Sequence, residues 1–199
     1  MPFPTTGVLD NFNRANEGPP PSASWTSDTG TGPNNLVVNT NVCAATAGNA
    51  FAYWNPSTFG PDSEGYFTLT TKAGNGAYIA VYLRYDAAGN NGYEGEYDEA
   101  ATDTSAYWRE DAGAYTQLGA SVSQEFVVGD GFGLEMIGST MQLYRRSSGV
   151  WAALGTTRTD ATYTAAGNIG MQMSHTTNRF DDFGGGTVAS DTLYAQSIM

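Results

Sequence analysis

The stretch from Ala77 to Asp98, AYIAVYLRYDAAGNNGYEGEYD, limits the possible folds more than any other part of the chain. Two runs of alternating character flank a loop rich in glycine and asparagine, which is the signature of a β-hairpin. Side chains alternate across a strand. Ile79, Val81, Leu83 and Tyr85 therefore share one face of the first run, and Tyr78, Tyr82 and Arg84 share the other. In the second run Tyr93, Gly95 and Tyr97 oppose Glu94, Glu96 and Asp98. Pairing Tyr85 with Tyr93 places Arg84 across from Glu94 and Tyr82 across from Glu96. One face then enters a core, and the other is a polar, aromatic surface where a ligand is first to be sought.

The rest of the chain follows the same rule. Val8 to Phe12, Leu36 to Val38, Asn41 to Ala45, Phe51 to Trp54 and Tyr66 to Thr71 are strand-sized before the hairpin. After it come Ala106 to Asp111, Ala114 to Leu118, Gln124 to Val128, Phe132 to Ile137, Thr140 to Arg145, Val150 to Thr156, Ile169 to Ser174 and Asn178 to Phe183. Their linkers are turn chemistry (Asp-Ala-Gly, Gly-Asp-Gly, Ser-Ser-Gly) and no window carries a helical period of useful length. The expectation is an all-β, antiparallel two-sheet sandwich. Phe180-Asp181-Asp182-Phe183 breaks strict alternation, because two apolar residues three apart cannot both face a core on a regular strand, and so implies a bulge.

A chain of 199 residues fits one domain with a core large enough to need no disulfide or metal for folding. The single cysteine, Cys43, reads as a small buried residue. Net charge is −12 with one lysine and seven arginines. That balance argues against nucleic acid and against anionic membranes, both of which call for basic residues. MPFPTTGVLDNF has neither a basic n-region nor a continuous apolar h-region, and no run approaches a membrane span, so synthesis in the cytoplasm without a signal peptide is expected. Residues 1–7 form a lead-in, 8–185 the sandwich and 186–199 a tail of the kind that frays unless a neighbouring subunit or larger assembly holds it.

The layout carries a resemblance as well. Its elements are Asp10-Asn11-Phe12-Asn13-Arg14, Trp25, Tyr82-Leu83-Arg84 before Gly92-Tyr93, Tyr107-Trp108-Arg109, Leu118, Gly129-Asp130, Leu134, Gly138, Leu143-Tyr144-Arg145 and Asp181-Asp182-Phe183 with glycines after it. Together they resemble the laminin-G-like modules of the concanavalin A-like lectin/glucanase superfamily, of the kind found in bacteriophage virion proteins. The resemblance implies a jelly roll whose first and last strands lie side by side, bringing Asp10 near Asp181 and Asp182. It implies a structural calcium ion there, held by Asp10 with Asp181 or Asp182; the alternative is that these carboxylates accept turn N–H groups or pair with Arg14 or Arg179. It also implies a place on a virion exterior, as a capsid decoration or tail-associated protein, with capsid or tail proteins as partners, self-association into a trimer, and host-surface glycans as a further ligand.

Glu94-Gly95-Glu96-Tyr97-Asp98 is the stretch closest to catalysis. Alternate residues on a strand lie about 6.6–6.8 Å apart, a spacing at which two carboxylates can bracket a glycosidic bond. The stretch looks like the Glu-x-Asp-x-Glu pattern of laminarinase-like glycosidases, but Glu96 stands where Asp is expected and Asp98 where the acid/base Glu is expected. The reading is therefore non-catalytic, with a free carbohydrate-binding lectin as the first alternative and a glycosidase or polysaccharide lyase using Glu94 and Glu96 as the second. Tyr78, Tyr82, Arg84 and Trp108 with Glu94 and Glu96 form a candidate sugar platform, in which aromatic rings meet sugar faces and polar neighbours fix orientation. The competing reading makes Trp108 and one tyrosine core or subunit contacts. His175 stands alone, and Gly129-Asp130-Gly131-Phe132-Gly133 joins two strands, so neither is a candidate centre.

Overall fold

The computed structural model describes residues 2–74 and 76–189, and among them there is no helix. The predicted tail falls largely on residues 190–199, outside the described residues. The described residues form sixteen strands. The first five are Val8–Asp10 (β1), Trp25–Thr26 (β2), Leu36–Asn39 (β3), Val42–Ala45 (β4) and Ala50–Trp54 (β5). The longer central strands are Ser63–Thr71 (β6), Ala77–Asp86 (β7), Asn91–Glu99 (β8) and Thr104–Asp111 (β9). Ala114–Gln117 (β10), Val122–Ser123 (β11), Gly131–Ile137 (β12) and Thr140–Ser147 (β13) follow. Val150–Thr159 (β14), Asn168–Met173 (β15) and Arg179–Thr187 (β16) complete the set.

They build two eight-stranded antiparallel sheets. One runs β14-β13-β12-β6-β16-β4-β3 with β1 beside β16, and the other runs β10-β9-β8-β7-β15-β5-β2 with β11 beside β9. The fold is the all-β, antiparallel two-sheet sandwich expected from the alternation, in the jelly-roll form that the resemblance implies. The residues 124–128, read as a strand from the sequence, instead lie in the connection after β11. There Lys72 Nζ (2.5 Å), the Phe126 amide (2.9 Å) and the Tyr97 hydroxyl (3.0 Å) all donate to Asp103 Oδ2, which explains the departure: side-chain bonds replace a ladder.

The core lies between the sheets. Phe67, Phe132, Leu134 and Phe180 from one sheet pack with Ile79, Val81, Leu83, Tyr93 and Tyr97 from the other. Packing is close enough that a Cβ on Gly95 would come within 2.8 Å of the Leu143 side chain. Cys43 is fully buried in the same core. The implied bulge in β16 is present: Asp182 has φ of 49° and the register shifts between Asp181 and Gly184, so that Phe180 and Phe183 both reach the core.

The hairpin departs from its predicted register. Leu83, not Tyr85, pairs with Tyr93, so Tyr82 faces Glu94 and Ala80 faces Glu96. The cause is a bulge at Arg84, where φ is 51° and the pairing shifts between Leu83 and Asp86. An extra residue inverts the alternation after Leu83. Tyr85 therefore joins Tyr82, Ala80 and Phe51 in a second apolar cluster separate from the main core.

The lead-in is docked on the first sheet. Phe3 stacks on Tyr144 with ring centroids 4.0 Å apart and meets Trp151 edge-on at 5.0 Å. Buried Glu64 Oε1 accepts the amides of Thr5 and Thr6, each at 2.6 Å, and the Thr6 hydroxyl at 2.7 Å. At the other end, Thr187 closes β16 and Val188 is buried.

Candidate functional site

The outward face of the second sheet carries the predicted surface. β8 directs Glu94 and Glu96 to it, β7 supplies Tyr78 and Tyr82, and β9 supplies Trp108, which is paired with Glu94. β10 brings Tyr115 and β15 brings Gln172, a residue adjacent to Ala80 in register. Tyr78, Glu94, Glu96, Trp108, Tyr115 and Gln172 line one cavity of about 110 Å³. Four of the six predicted sugar-contacting residues thus meet in one place.

The other two do not line it. Tyr82 is fully buried beneath the cavity, where its hydroxyl donates to Gln172 Oε1 at 2.9 Å and bonds the Tyr115 hydroxyl at 3.1 Å. Arg84 is carried away by its bulge. Its guanidinium donates to the carbonyls of Pro61 (2.6 Å), Tyr163 (2.8 Å) and Gly138 (2.6 Å), and the residue is 4% exposed. Arg84 lines a different, larger cavity of about 470 Å³ with Asp86, Asn91 and residues 162–168. The bonds made by its side chain tie three loops together.

Sequence reasoning missed Tyr115 and Gln172. Tyr115 lies on the short exposed edge strand β10, and Gln172 is the one polar residue in the otherwise apolar run IGMQM of β15. A lone glutamine in an apolar run was the available signal, since a buried amide must find partners. It does: Gln172 Nε2 donates to the Thr31 carbonyl at 3.3 Å. The segment around Thr31 crosses this face, and its hydroxyl also bonds the Tyr85 hydroxyl (2.9 Å) and donates to Glu110 Oε1 (3.1 Å).

Electrostatically the cavity concentrates acid in a wall where Glu94 is buried and Glu96 half-buried. Glu94 is 2% exposed, and burial pushes its carboxyl well above the ordinary range, helped by the charge of Glu96 and offset in part by the Tyr82 hydroxyl. Burial likewise raises Glu96 to about 7, with Asp98 adding to the rise and the Trp108 indole, which donates to Glu96 Oε1 at 3.3 Å, opposing it. Asp98, third in the glycosidase-like series, does not line the cavity.

The terminal-strand carboxylates have a different arrangement. β1 pairs with β16, with Asp10 opposite Phe183, and Asp10 and Asp182 border one surface recess. Asp10 Oδ1 accepts the Phe12 amide (2.8 Å) and Arg14 Nη1 (2.6 Å), and Oδ2 accepts Trp25 Nε1 (2.9 Å) and Arg14 Nη2 (3.0 Å). Asp181 Oδ1 accepts the Asp182 amide at 2.9 Å. A carboxylate with both oxygens committed to four donors, two of them on a guanidinium, does not fit the ligand set a calcium ion needs. Among the described residues no cluster of three or more His, Cys, Asp or Glu side chains forms a metal site.

No family model matches the sequence, and no curated protein matches it. Solved structures do match in shape. The carbohydrate-binding module CBM66 from Bacillus subtilis is 19% identical with a TM-score of 0.62, over 82% of this chain and 94% of that one. A Bacillus licheniformis β-glucanase is 11% identical with a TM-score of 0.62, over 93% of this chain and all of that one. The exoplasmic/lumenal domain of VIP36, in a form bound to Ca²⁺ and Man3GlcNAc, is 10% identical with a TM-score of 0.59, over 88% and 87% of the two chains. The structural neighbours are thus concanavalin A-like and galectin-like jelly-roll modules, and include both glycosidases and non-enzymatic lectins.

Proposed function

We propose that this protein is a non-catalytic carbohydrate-binding module whose sugar site is the cavity on the outward face of the second sheet. The observation that carries the reading is the juxtaposition of Trp108 and Tyr78 with Glu94 and Glu96 around one small recess. An indole or phenol ring offers a flat apolar surface to the C–H face of a pyranose, and the carboxylates accept its hydroxyls. At about 110 Å³ the recess is well below the few hundred Å³ of a pocket that swallows a whole ligand, so it suits the end or edge of a single sugar. The similarity in shape to a carbohydrate-binding module and to a glycan-bound lectin supports the same ligand class. Glycan-array binding that is lost in Trp108→Ala tests it; an array with no binder refutes it.

A glycosidase reading has one observation in its favour: two carboxylates on alternate residues of β8, both raised by burial, share the cavity wall. Against it stand the small volume and the absence of Asp98 from the lining. Release of reducing sugar that disappears in Glu94→Gln would establish the enzyme. Location on a virion exterior, capsid or tail partners and a trimer are proposals that rest on the sequence resemblance; co-sedimentation with purified particles and light scattering test them. Calcium near the terminal strands, expected from the resemblance, is not proposed, because Asp10 commits both oxygens to Arg14, Trp25 and the Phe12 amide.

A further inference from the structure

The cavity has an excess of acceptors and no cation. Gln172 spends its amide on Tyr82 and on the Thr31 carbonyl, and the Tyr82 and Tyr115 hydroxyls bond each other. What remains to meet a ligand is the four carboxylate oxygens of Glu94 and Glu96, of which one accepts the Trp108 indole N–H. Every arginine and the lysine of the chain is engaged elsewhere. Arg14, Lys72, Arg109 and Arg145 pair with Asp10, Asp103, Asp111 with Asp160, and Asp130. Arg84, Arg158 and Arg179 bond carbonyls, and Arg146 lies on Trp151. Glu94, at 2% exposure, thus stands in the cavity wall with no positive partner, and a buried carboxylate left so is costly.

From this geometry we infer that the site selects a hexose bearing a free, protonated amino group over neutral and anionic sugars, an inference that rests on the carbohydrate-binding reading above. An ammonium group supplies three donors and the positive charge that Glu94 and Glu96 lack, and its arrival favours the ionised, accepting form of both carboxyls. The faces of Trp108 and Tyr78 favour a cation too, through the negative potential over an aromatic ring. Acylation of the amine removes the charge and two of the donors. A carboxylated sugar adds a negative charge beside two carboxyls that burial already holds against ionisation, and so gains nothing there.

The test is a titration at pH 7, read by the indole N–H resonance of Trp108, with four probes: D-glucosamine, D-glucose, N-acetyl-D-glucosamine and ethanolamine. D-Glucosamine is expected to bind about tenfold tighter than the other three. In Glu96→Gln its affinity is expected to fall to that of D-glucose. Circular dichroism melting at pH 5 checks that this variant folds, and Glu94→Gln repeats the measurement from the neighbouring carboxylate. Equal affinity for D-glucose or the N-acetyl sugar, or a preference that survives in both variants, overturns the inference while leaving carbohydrate binding intact. Ethanolamine binding as tightly as D-glucosamine also overturns it, because the ring is then not read. No response to any sugar, here or on the glycan array, removes the carbohydrate reading itself.

Discussion

Replacing Glu96 by glutamine is expected to stabilise the protein, by an amount that depends on pH in a defined way. Burial, aided by Asp98, lifts the Glu96 carboxyl from its ordinary 4.5 to about 7. The folded protein therefore holds this proton more tightly than the unfolded chain does. Below about pH 4.5 the group is neutral in both states and contributes no penalty. As pH rises from about 4.5 to about 7 the unfolded chain ionises while the folded one resists, and stability falls; above about 7 the penalty is constant. A rise from 4.5 to about 7 corresponds to about 3 kcal/mol. Glutamine keeps an oxygen for the Trp108 indole but cannot ionise, so the variant escapes the penalty. It also relieves Glu94, whose carboxyl is raised in part by the Glu96 charge. Urea unfolding of both proteins from pH 4 to pH 9 gives the difference curve directly. It should be near zero at pH 4, climb through pH 6 and level off at about 2–3 kcal/mol by pH 8, or about 4–12 °C in Tm for a chain of this size. A pH-independent difference, or a variant less stable than the parent at pH 8, would refute the claim that partial burial holds this carboxyl against ionisation.

Further outcomes follow from other contacts. Trp108→Ala should weaken sugar binding by about 2 kcal/mol, as for an aromatic anchor at the centre of an interface, with no change in the far-UV circular dichroism spectrum. Asp10→Ala strips four hydrogen bonds from a carboxylate with 7% side-chain exposure, leaves Trp25 Nε1 and the Phe12 amide without that acceptor, and leaves Arg14 only Glu17 and the Pro21 carbonyl; a loss of about 3 kcal/mol in urea unfolding is expected. In the parent protein Tm should be the same in calcium and in chelator, since an ion at Asp10 has first to displace Arg14. Phe3→Ala and Gly133→Ala should each destabilise, because a Cβ on Gly133 collides with the Phe3 ring. The double variant should cost clearly less than the sum, since both act on one docked ring, and a double-mutant cycle measures this.

Much of the fold was legible because burial on one side of a strand writes itself as period two. The alternation of Tyr93, Gly95 and Tyr97 against Glu94 and Glu96 predicted which side chains enter the core and which reach the cavity, and the structure agrees. Phe180 and Phe183 announced their bulge because both are apolar and the spacing is odd. The bulge at Arg84 left no such mark. Leu83-Arg84-Tyr85 reads equally well as regular alternation, and its true state is set by three carbonyls at Pro61, Gly138 and Tyr163, 23 to 79 positions away. Contacts that distant have no local pattern. The consequence for the site is concrete: with Arg84 withdrawn, the predicted platform loses its only cation, and Tyr85 takes its place on the sheet as an apolar floor. A surface read from sequence as one cation beside two acids holds only the acids among its charged groups, and that difference favours an amino sugar as its ligand.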